Sequence, residues 1–438
     1  MLRQISSVLM LRVVGIAFQL GWFMLLVRLL PIEQVGIYSA INSLWLLMRA
    51  LGPMGSDQAL MRRLPTLLES GEQEKAHGIL QHALTYLLKW QGLLMLLLLG
   101  AGLIAQSLGM LPLPPEILVL IAAVSMLYGI NGQQVYVMLA TKRPLLANAF
   151  EGIWLPLALA GGAALLHLQE MLSLESLLIW QALAMLGFCL FGLWLTHVRL
   201  MPHQTIKNAA LSQQDCTLFA LQSRQLLATS AAIHLTMRLP VIAAPFLIGA
   251  AQTALLETAM RFATLLGLVA FAAAQVTLPS ISAYAEQQKR TELQALLHQA
   301  SWLIFLPTLG LFGGLALFGE PLISLIAGEE YRAAYAPLMV LSAAYLLAAA
   351  AGPMQHLFTM SGLAGIVTKV SLLELLVSVI LMLLLAPWLG ALGLAAAISF
   401  GMALRNGLFH ALLPARLQLH AGVLSRSGLL WALKRLRP

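Results

Sequence analysis

The sequence predicts an all-α polytopic membrane protein with about twelve transmembrane helices in two six-helix lobes. Three observations predict this fold class: the apolar composition, the number of long apolar segments, and the distribution of Lys and Arg between loops. Of the 438 residues, 60% are hydrophobic and 10% are charged, and the mean hydropathy is +0.87. A soluble domain of this length needs more charge to cover its surface, so most of the chain must contact lipid.

The apolar segments are long enough to cross a bilayer as helices. A helix needs about 20 mostly apolar residues to span about 30 Å of hydrocarbon. Such segments lie near 8–28, 35–56, 86–108, 115–138, 146–167 and 173–197, and again near 226–248, 253–278, 300–320, 334–357, 367–388 and 391–412.

The basic residues indicate how these helices are oriented. With the N-terminus inside the cell, 18 of the 25 Lys and Arg residues fall in cytoplasmic segments, and only Arg28 and Arg332 fall in outer loops. This asymmetry predicts a membrane protein with both termini in the cytoplasm. It also accounts for the net charge of +8 without a nucleic-acid partner.

A short internal repeat predicts how the chain divides into domains. Leu64-Pro65 is followed by Glu72-Gln73-Glu74-Lys75, and Leu278-Pro279 is followed at the same spacing by Glu286-Gln287-Gln288-Lys289. Six helices per half would make this a parallel repeat. We therefore expect an N-terminal lobe at 1–200, a polar cytoplasmic linker at 201–222, a C-terminal lobe at 223–414, and a basic cytoplasmic tail at 415–438 that lies against anionic lipid.

Arginines inside the predicted spans are the first candidate functional residues. Burying a charge in hydrocarbon is costly unless it faces water or a partner. Arg49, Arg238 and Arg261, with His234 one turn from Arg238, would line a hydrated cavity that attracts an anion such as phosphate. The alternative is that each charge holds neighbouring helices together. For Arg12, Lys369 and Arg405 we expect the side chains to extend to the cytoplasmic interface.

Acidic and amide side chains inside the spans form a second set of candidates. Glu151, Glu257 and Glu374 are candidate ion-coupling residues, with helix pairing as the alternative; Glu257 lies one turn before Arg261. Asn131 and Gln134 belong to a polar run in the fourth span, Tyr128 to Tyr136, which would bind sugar or join helices.

No motif in the sequence predicts catalysis, a metal site or a cofactor. There is no phosphate-binding loop, no zinc-ligand spacing and no nucleophile elbow. Cys189 and Cys216 are too few and too separately placed, one in an apolar stretch and the other in a polar loop, to suggest a disulfide framework or a metal site. We therefore expect a protein that is not an enzyme and that needs no cofactor.

Two sequence segments resemble a known family. Residues 28–39, Arg-Leu-Leu-Pro-Ile-Glu-Gln-Val-Gly-Ile-Tyr-Ser, resemble the junction between the first and second helices of polysaccharide-synthesis flippases. Residues 51–63 resemble the end of their second helix and the loop beyond it. The second half repeats the pattern from Gly249 to Phe262, with Ala254 and Leu256 in place of Gly36 and Tyr38.

The resemblance is to the polysaccharide-synthesis and O-antigen flippase family of the multidrug/oligosaccharidyl-lipid/polysaccharide (MOP) exporter superfamily. It implies a MATE-like fold of two six-helix lobes around a basic cavity, with Arg261 on a cavity-lining helix. It also implies alternating access that moves undecaprenyl-diphosphate-linked repeat units outward for O-antigen, capsule or exopolysaccharide assembly. The seventh span departs from the family, because Met237-Arg238-Leu239-Pro240 lacks the aspartate that often stands there.

Three other functions stay open from the sequence. A drug–cation antiporter of the same superfamily would favour acidic over basic cavity residues. A major-facilitator transporter would carry a Gly-rich signature after its second helix, which residues 52–57 do not match. A membrane-embedded polysaccharide polymerase or glycosyltransferase would need larger outer loops. For the flippase we expect as partners the lipid-linked oligosaccharide, membrane lipids, and the polymerase and chain-length machinery.

Overall fold

A computed structural model describes residues 2–109, 113–196, 212–287 and 289–423 of the chain. These residues form helices and connecting turns, and no β-strand is found among them. The predicted all-α class is therefore confirmed. Contacts divide the chain into two compact units, Met1–Ile242 and Ala243–Pro438, which are described separately below.

The described residues of the first unit form nine α-helices, the last of which ends beyond the unit. In chain order they are α1 (Leu2–Leu29), α2 (Ile32–Leu51), α3 (Ser56–Glu69), α4 (Gln73–Ser107), α5 (Pro115–Ala140), α6 (Pro144–Ala149), α7 (Leu155–Leu168), α8 (Leu174–Trp194) and α9 (Gln213–Leu247). A π-helix, Phe150–Trp154, joins α6 to α7 without a break.

In the described part of the second unit there are five further α-helices. These are α10 (Ala250–Glu286), α11 (Arg290–Ala327), α12 (Tyr335–Ala351), α13 (Met354–Met360) and α14 (Ala364–Leu417), with a 3₁₀ turn at Glu329–Ala334 before α12. At about 1.5 Å per residue, α14 is far longer than a bilayer is thick. It bends at Gly390, whose φ of 56° and ψ of −133° are not helical, so it supplies two spans.

Ten helical segments within the described residues are long and apolar enough to cross a membrane. Helix α14 is one of them, and its length allows it to cross once on each side of its bend. The 20-residue α2 is not among the ten, so the number of about twelve spans stays a prediction. The protein is a multi-pass membrane protein. Helices α4, α10 and α11 run past the predicted windows, because more than 30 residues exceed the hydrocarbon thickness.

The loop predicted after the second span is largely helical. Helix α3 buries Ala59, Leu60 and Leu64 against α4, α5 and Phe219 of α9. These three residues recur at helical spacing, so α3 presents one apolar stripe to the core of the unit. The predicted second span ends at residue 56, because Arg62 and Arg63 obscure the apolar pattern of α3.

The break between α2 and α3 is fixed by close packing. Met54 and Gly55 both have positive φ, 51° and 79°. A Cβ on Gly55 would overlap the carbonyl oxygen of Ser223 in α9, and a Cβ on Gly52 would overlap the Gln91 side chain in α4. Only glycine fits a left-handed backbone at this distance from another chain segment. The break therefore places Arg49 and Asp57 on either side of a fixed turn.

Similar turns precede α4 and α11. The amide of Glu72 donates to the carbonyl of Leu67 before α4, and the amide of Lys289 donates to the carbonyl of Tyr284 before α11, both at 3.0 Å. The same bond to the residue five positions earlier joins Arg143 to Met138, so these turns do not identify a repeat. The internal repeat stays a prediction.

The predicted domain limits stay predictions. Residues 201–211 of the linker and 424–438 of the tail lie outside the described residues. The remainder of the proposed linker, from Gln213, forms the first turns of α9. Past the end of α14, the amide of His420 donates to Gln294 Oε1 at 2.8 Å and the amide of Val423 donates to the carbonyl of Ala350 at 2.8 Å.

Candidate functional site

An ion pair between α2 and the π-helix lies at the centre of the candidate site. Arg49 Nη1 donates to Glu151 Oε1 at 2.6 Å. The Arg49 side chain is 17% exposed, whereas that of Glu151 is 39% exposed. Arg49 therefore lies deeper in the protein, and the carboxylate of Glu151 reaches it from the more open side.

The π-helix that carries Glu151 has a local cause in the sequence. Pro156, near the start of α7, has no amide hydrogen to donate to the carbonyl four residues earlier. The wider π turn ends just before this proline. Gly152 packs against Gly15 of α1, and a Cβ on Gly15 would lie 3.1 Å from the Cα of Gly152. Single π turns inside α-helices are frequent at functional sites.

A cleft opens beside Glu151. Its volume is about 180 Å³, and its lining is Arg12, Gly15, Ile16, Gln19, Asn148, Glu151 and Gly152. Arg12 acts electrostatically on Glu151. The cleft is therefore lined by one guanidinium group, two side-chain amides and one carboxylate. Arg12 was expected only to extend to the interface, and Gln19 and Asn148 were not singled out.

Further charged and polar groups surround Arg49. Arg49 interacts electrostatically with Tyr128 and Tyr136 of α5 and with Asp57 of α3. His234 of α9 lies within electrostatic range of both Arg49 and Arg238. We call Arg12, Arg49, Asp57, Glu151, His234 and Arg238 the basic cluster. It brings together four of the predicted candidates, Arg49, Glu151, His234 and Arg238.

Asp57, which lies outside the membrane spans, has a pKa well above the usual value for a carboxyl group. Its side chain is buried, with 6% exposure. Burial raises the pKa of Asp57 to about 6, although the Gln58 amide donates to its Oδ1 at 2.8 Å and Arg49 acts in the opposite direction. Desolvation disfavours the ionised carboxylate more than these two contacts stabilise it.

The polar run of α5 forms contacts between helices. Gln134 Nε2 donates to the carbonyl of Cys189 at 3.0 Å, and Gln181 Nε2 donates to the hydroxyl of Tyr128 at 2.8 Å. Tyr128 also stacks on Trp45 of α2, with ring centroids 5.6 Å apart. Asn131 and Gln134 are both buried. The hydrogen bond from Gln134 to Cys189 joins α5 to α8. Their predicted role in sugar binding stays a prediction.

Among its described residues, the second unit contains two more glutamate–arginine pairs with a buried carboxylate. Arg261 Nε donates to Glu257 Oε1 at 2.9 Å within α10. Arg405 Nη1 lies 3.2 Å from Glu374 Oε1 and 3.3 Å from Oε2, across the bend of α14. The expectation that Arg405 extends to the interface is wrong. Glu374 and Arg405 lie at similar distances from the two ends of α14, a signal that could have identified the pair.

Solved structures of transporters are similar to this chain in fold. An inward-facing MATE family multidrug resistance transporter of the MOP superfamily matches with a TM-score of 0.73 and 13% identity, over 98% of this chain and 96% of that one. The lipid II flippase MurJ, in an inward closed conformation, matches with a TM-score of 0.72 and 14% identity, over 94% and 87%. A MOP superfamily transporter from Pyrococcus furiosus matches with a TM-score of 0.62 and 14% identity, over 98% and 95%.

The family is shown by sequence. No curated protein matches the chain. The sequence profile of the family described as polysaccharide biosynthesis protein matches residues 1–285, well over half of the chain. The match includes α1 to α9 and with them the whole basic cluster. The chain therefore belongs to the polysaccharide biosynthesis protein family, with the fold of MOP superfamily transporters.

Proposed function

We propose that this protein is a flippase for undecaprenyl-diphosphate-linked oligosaccharide repeat units. It moves them from the cytoplasmic to the outer leaflet of the bacterial inner membrane for O-antigen, capsule or exopolysaccharide assembly. The observation that carries the proposal is the basic cluster, which places three arginines among membrane-embedded helices of a polysaccharide biosynthesis family member. The MurJ-like fold supports translocation of a lipid-linked substrate.

The chemistry of the substrate fits the charge of the cluster. A diphosphate diester carries two negative charges and presents acceptor oxygens on both phosphates. Arg12, Arg49 and Arg238 outnumber the acids Glu151 and Asp57, so the cluster has an excess of positive charge. Guanidinium groups bind phosphate through paired hydrogen bonds and stay charged at every physiological pH. The polyprenyl chain would remain in lipid while the head group crosses.

The remaining candidates have proposed roles in the same process. We assign His234 and Arg261 to further contacts with the diphosphate, and Asn131 and Gln134 to hydrogen bonds with the sugar. Glu151, Glu257 and Glu374 are the candidates for ion coupling. Alternating access with both termini in the cytoplasm, and cooperation with polymerase and chain-length machinery, complete the proposal. No step in it makes or breaks a covalent bond.

A drug–cation antiporter is the second candidate, because the MATE transporter has a similar fold. A cationic substrate would require carboxylates that are available to bind it. Glu151, Glu257 and Glu374 each contact an arginine instead, and this favours the flippase.

Deletion of the gene in its host tests the proposal. Surface polysaccharide and intracellular lipid-linked repeat units would be measured together, alongside drug susceptibility. We expect surface polysaccharide to fall while complete repeat units accumulate on the cytoplasmic leaflet. Failure to form repeat units would indicate a polymerase or glycosyltransferase. Unchanged surface polysaccharide with increased drug susceptibility would indicate the antiporter.

A further inference from the structure

The three glutamate–arginine pairs with a largely buried arginine differ in how open their carboxylates are; the fourth described pair, Glu320–Arg332, is exposed on both sides. The side chains of Glu257 and Glu374 are 4% and 2% exposed, whereas that of Glu151 is 39% exposed. The arginines are similar, between 17% and 22% exposed. Two carboxylates are therefore enclosed by the protein, and an incoming ligand can reach only the third without repacking a helix.

A cleft beside Glu151 could accept its displaced side chain, and Arg49 has hydrogen-bond donors that could bind another acceptor in its place. It lines the 180 Å³ cleft with Arg12 and Asn148, which has space for a phosphate group. Arg49 donates from a single nitrogen, Nη1, to a single oxygen, Oε1. A guanidinium group has five N–H donors in a fixed fork, so one hydrogen bond leaves most of its capacity for a bidentate oxyanion.

We propose that the Arg49–Glu151 pair is an exchange site, in which a phosphate-type oxyanion displaces Glu151 from Arg49 and Glu151 then takes up a proton from solvent. The oxyanion replaces the carboxylate as the acceptor of the Arg49 hydrogen bond. The displaced carboxylate is costly to keep ionised beside a new negative charge in a membrane-embedded helix. Anion binding is thereby coupled to the uptake of one proton. The diphosphate is identified as the anion by the proposed function, on which this inference rests.

Other groups that face Glu151 or Arg49 limit the interpretation of a pH effect. From α1 there is Arg12, and from α5 there are Tyr128 and Tyr136. These three do not change charge near neutral pH. Asp57 on α3 and His234 on α9 also interact with Arg49, and both could take up a proton. The experiment must therefore separate Glu151 from these two.

Calorimetry of the purified full-length protein can count the protons. P1,P2-dimethyl diphosphate is a suitable probe, because it carries the two charges of the substrate diester and does not titrate near neutral pH. Its binding would be measured at one pH in buffers with different ionisation enthalpies. We expect the wild-type protein to take up about one proton per bound probe. Glu151→Gln should bind the probe about tenfold more tightly, because its competitor is gone, and should lose the proton uptake.

Matched variants make the test specific. Glu374→Gln removes the enclosed carboxylate of the same kind of pair, and we expect it to keep the proton uptake. Asp57→Asn and His234→Gln should also keep one proton per bound probe, although His234→Gln should bind the probe more weakly because it removes a proposed contact with the diphosphate. Loss of the uptake in either of these two, with retention in Glu151→Gln, would overturn the assignment. If Glu151→Gln does not fold, binding of the probe to wild-type protein without proton uptake would still overturn the exchange.

The test also separates this inference from the proposed function. Binding without proton uptake would contradict the exchange but leave the anion site intact. No binding of the probe to the wild-type protein would contradict both the exchange and recognition of the substrate through its diphosphate. Proton-coupled binding in a protein whose gene deletion leaves surface polysaccharide unchanged would preserve the exchange and contradict the flippase.

Discussion

At the scale of single residues, the glutamates inside the membrane helices form ion pairs with arginines. Glu151, Glu257 and Glu374 each contact an arginine, as the cost of an isolated buried charge requires. The sequence identified all three acids, and spacing alone indicated Glu257–Arg261. It could not identify Glu151–Arg49, because those residues lie 102 positions apart. The fold brings them together, because the π-helix packs against α1 and the Arg49 side chain reaches Glu151 from α2.

Asp57 makes the folded protein sensitive to pH. Its folded pKa of about 6 lies above the model-compound value of 3.8, so protonation favours the folded state. The contribution of Asp57 is fully present below its unfolded pKa and is lost as the pH rises through about 6. Two pKa units correspond to about 3 kcal/mol, so we expect Asp57→Asn to stabilise the protein at pH 8 by about 1–3 kcal/mol.

Thermal unfolding in detergent at several pH values measures this effect. The melting temperatures of wild type and Asp57→Asn should agree near pH 4 and separate progressively between pH 4 and pH 7. A difference that does not depend on pH would mean that the carboxyl group of Asp57 is not desolvated in the folded protein.

At the scale of helices, the sequence predicted the spans better than their ends and breaks. Hydropathy identified twelve segments because lipid imposes a minimum apolar length. It did not reveal that α3 is helical, since Arg62, Arg63 and Pro65 interrupt the apolar pattern. It also could not reveal the π-helix, because a shift from α to π geometry changes no apolar periodicity over five residues. The turn at Gly55 depends on a neighbour in α9, which no local pattern encodes.

The turn between α2 and α3 can be tested against a matched glycine. Gly55 and Gly71 have similar positive φ values, 79° and 76°, but only Gly55 faces the backbone of another helix, at Ser223. Gly71→Ala should cost about 1 kcal/mol, the usual penalty for a Cβ in the left-handed region. Gly55→Ala adds a backbone clash, and we expect it to cost about 2–4 kcal/mol.

Thermal unfolding of both variants in the same detergent provides the comparison. Equal losses of stability for Gly55→Ala and Gly71→Ala would contradict the close packing of the turn on α9. A larger loss for Gly55→Ala, with retention of the helical circular dichroism signal below the melting temperature, would support it.

At the scale of the whole molecule, the prediction of the membrane fold rested on composition, and the prediction of orientation rests on the positive charges. The fold is confirmed, whereas the orientation is a prediction that single cysteines can test. Arg143 and Gln169 are exposed residues at the two ends of the span Pro144–Leu168. The two native cysteines, Cys189 and Cys216, would first be replaced by serine.

In this background, a membrane-impermeant maleimide should label Gln169→Cys in intact cells. It should label Arg143→Cys only after the membrane is opened, because Lys142 and Arg143 belong to the cytoplasmic side. The opposite pattern would invert the topology of the whole chain. It would also move the basic cluster to the outer side of the membrane, where a substrate made in the cytoplasm could not reach it first.

We propose that this protein moves lipid-linked oligosaccharides across a bilayer. Reconstitution of the purified protein into vesicles is the most direct test. Purified protein would be incorporated into vesicles that contain an undecaprenyl-diphosphate-linked oligosaccharide in both leaflets. An externally added glycosidase would then report how much of the oligosaccharide reaches the outer leaflet. We predict that the wild-type protein makes the inner-leaflet pool accessible with time and that Arg49→Ala does so much more slowly. If the glycosidase cleaves no more oligosaccharide than it does in protein-free vesicles, the proposed flippase function would be contradicted.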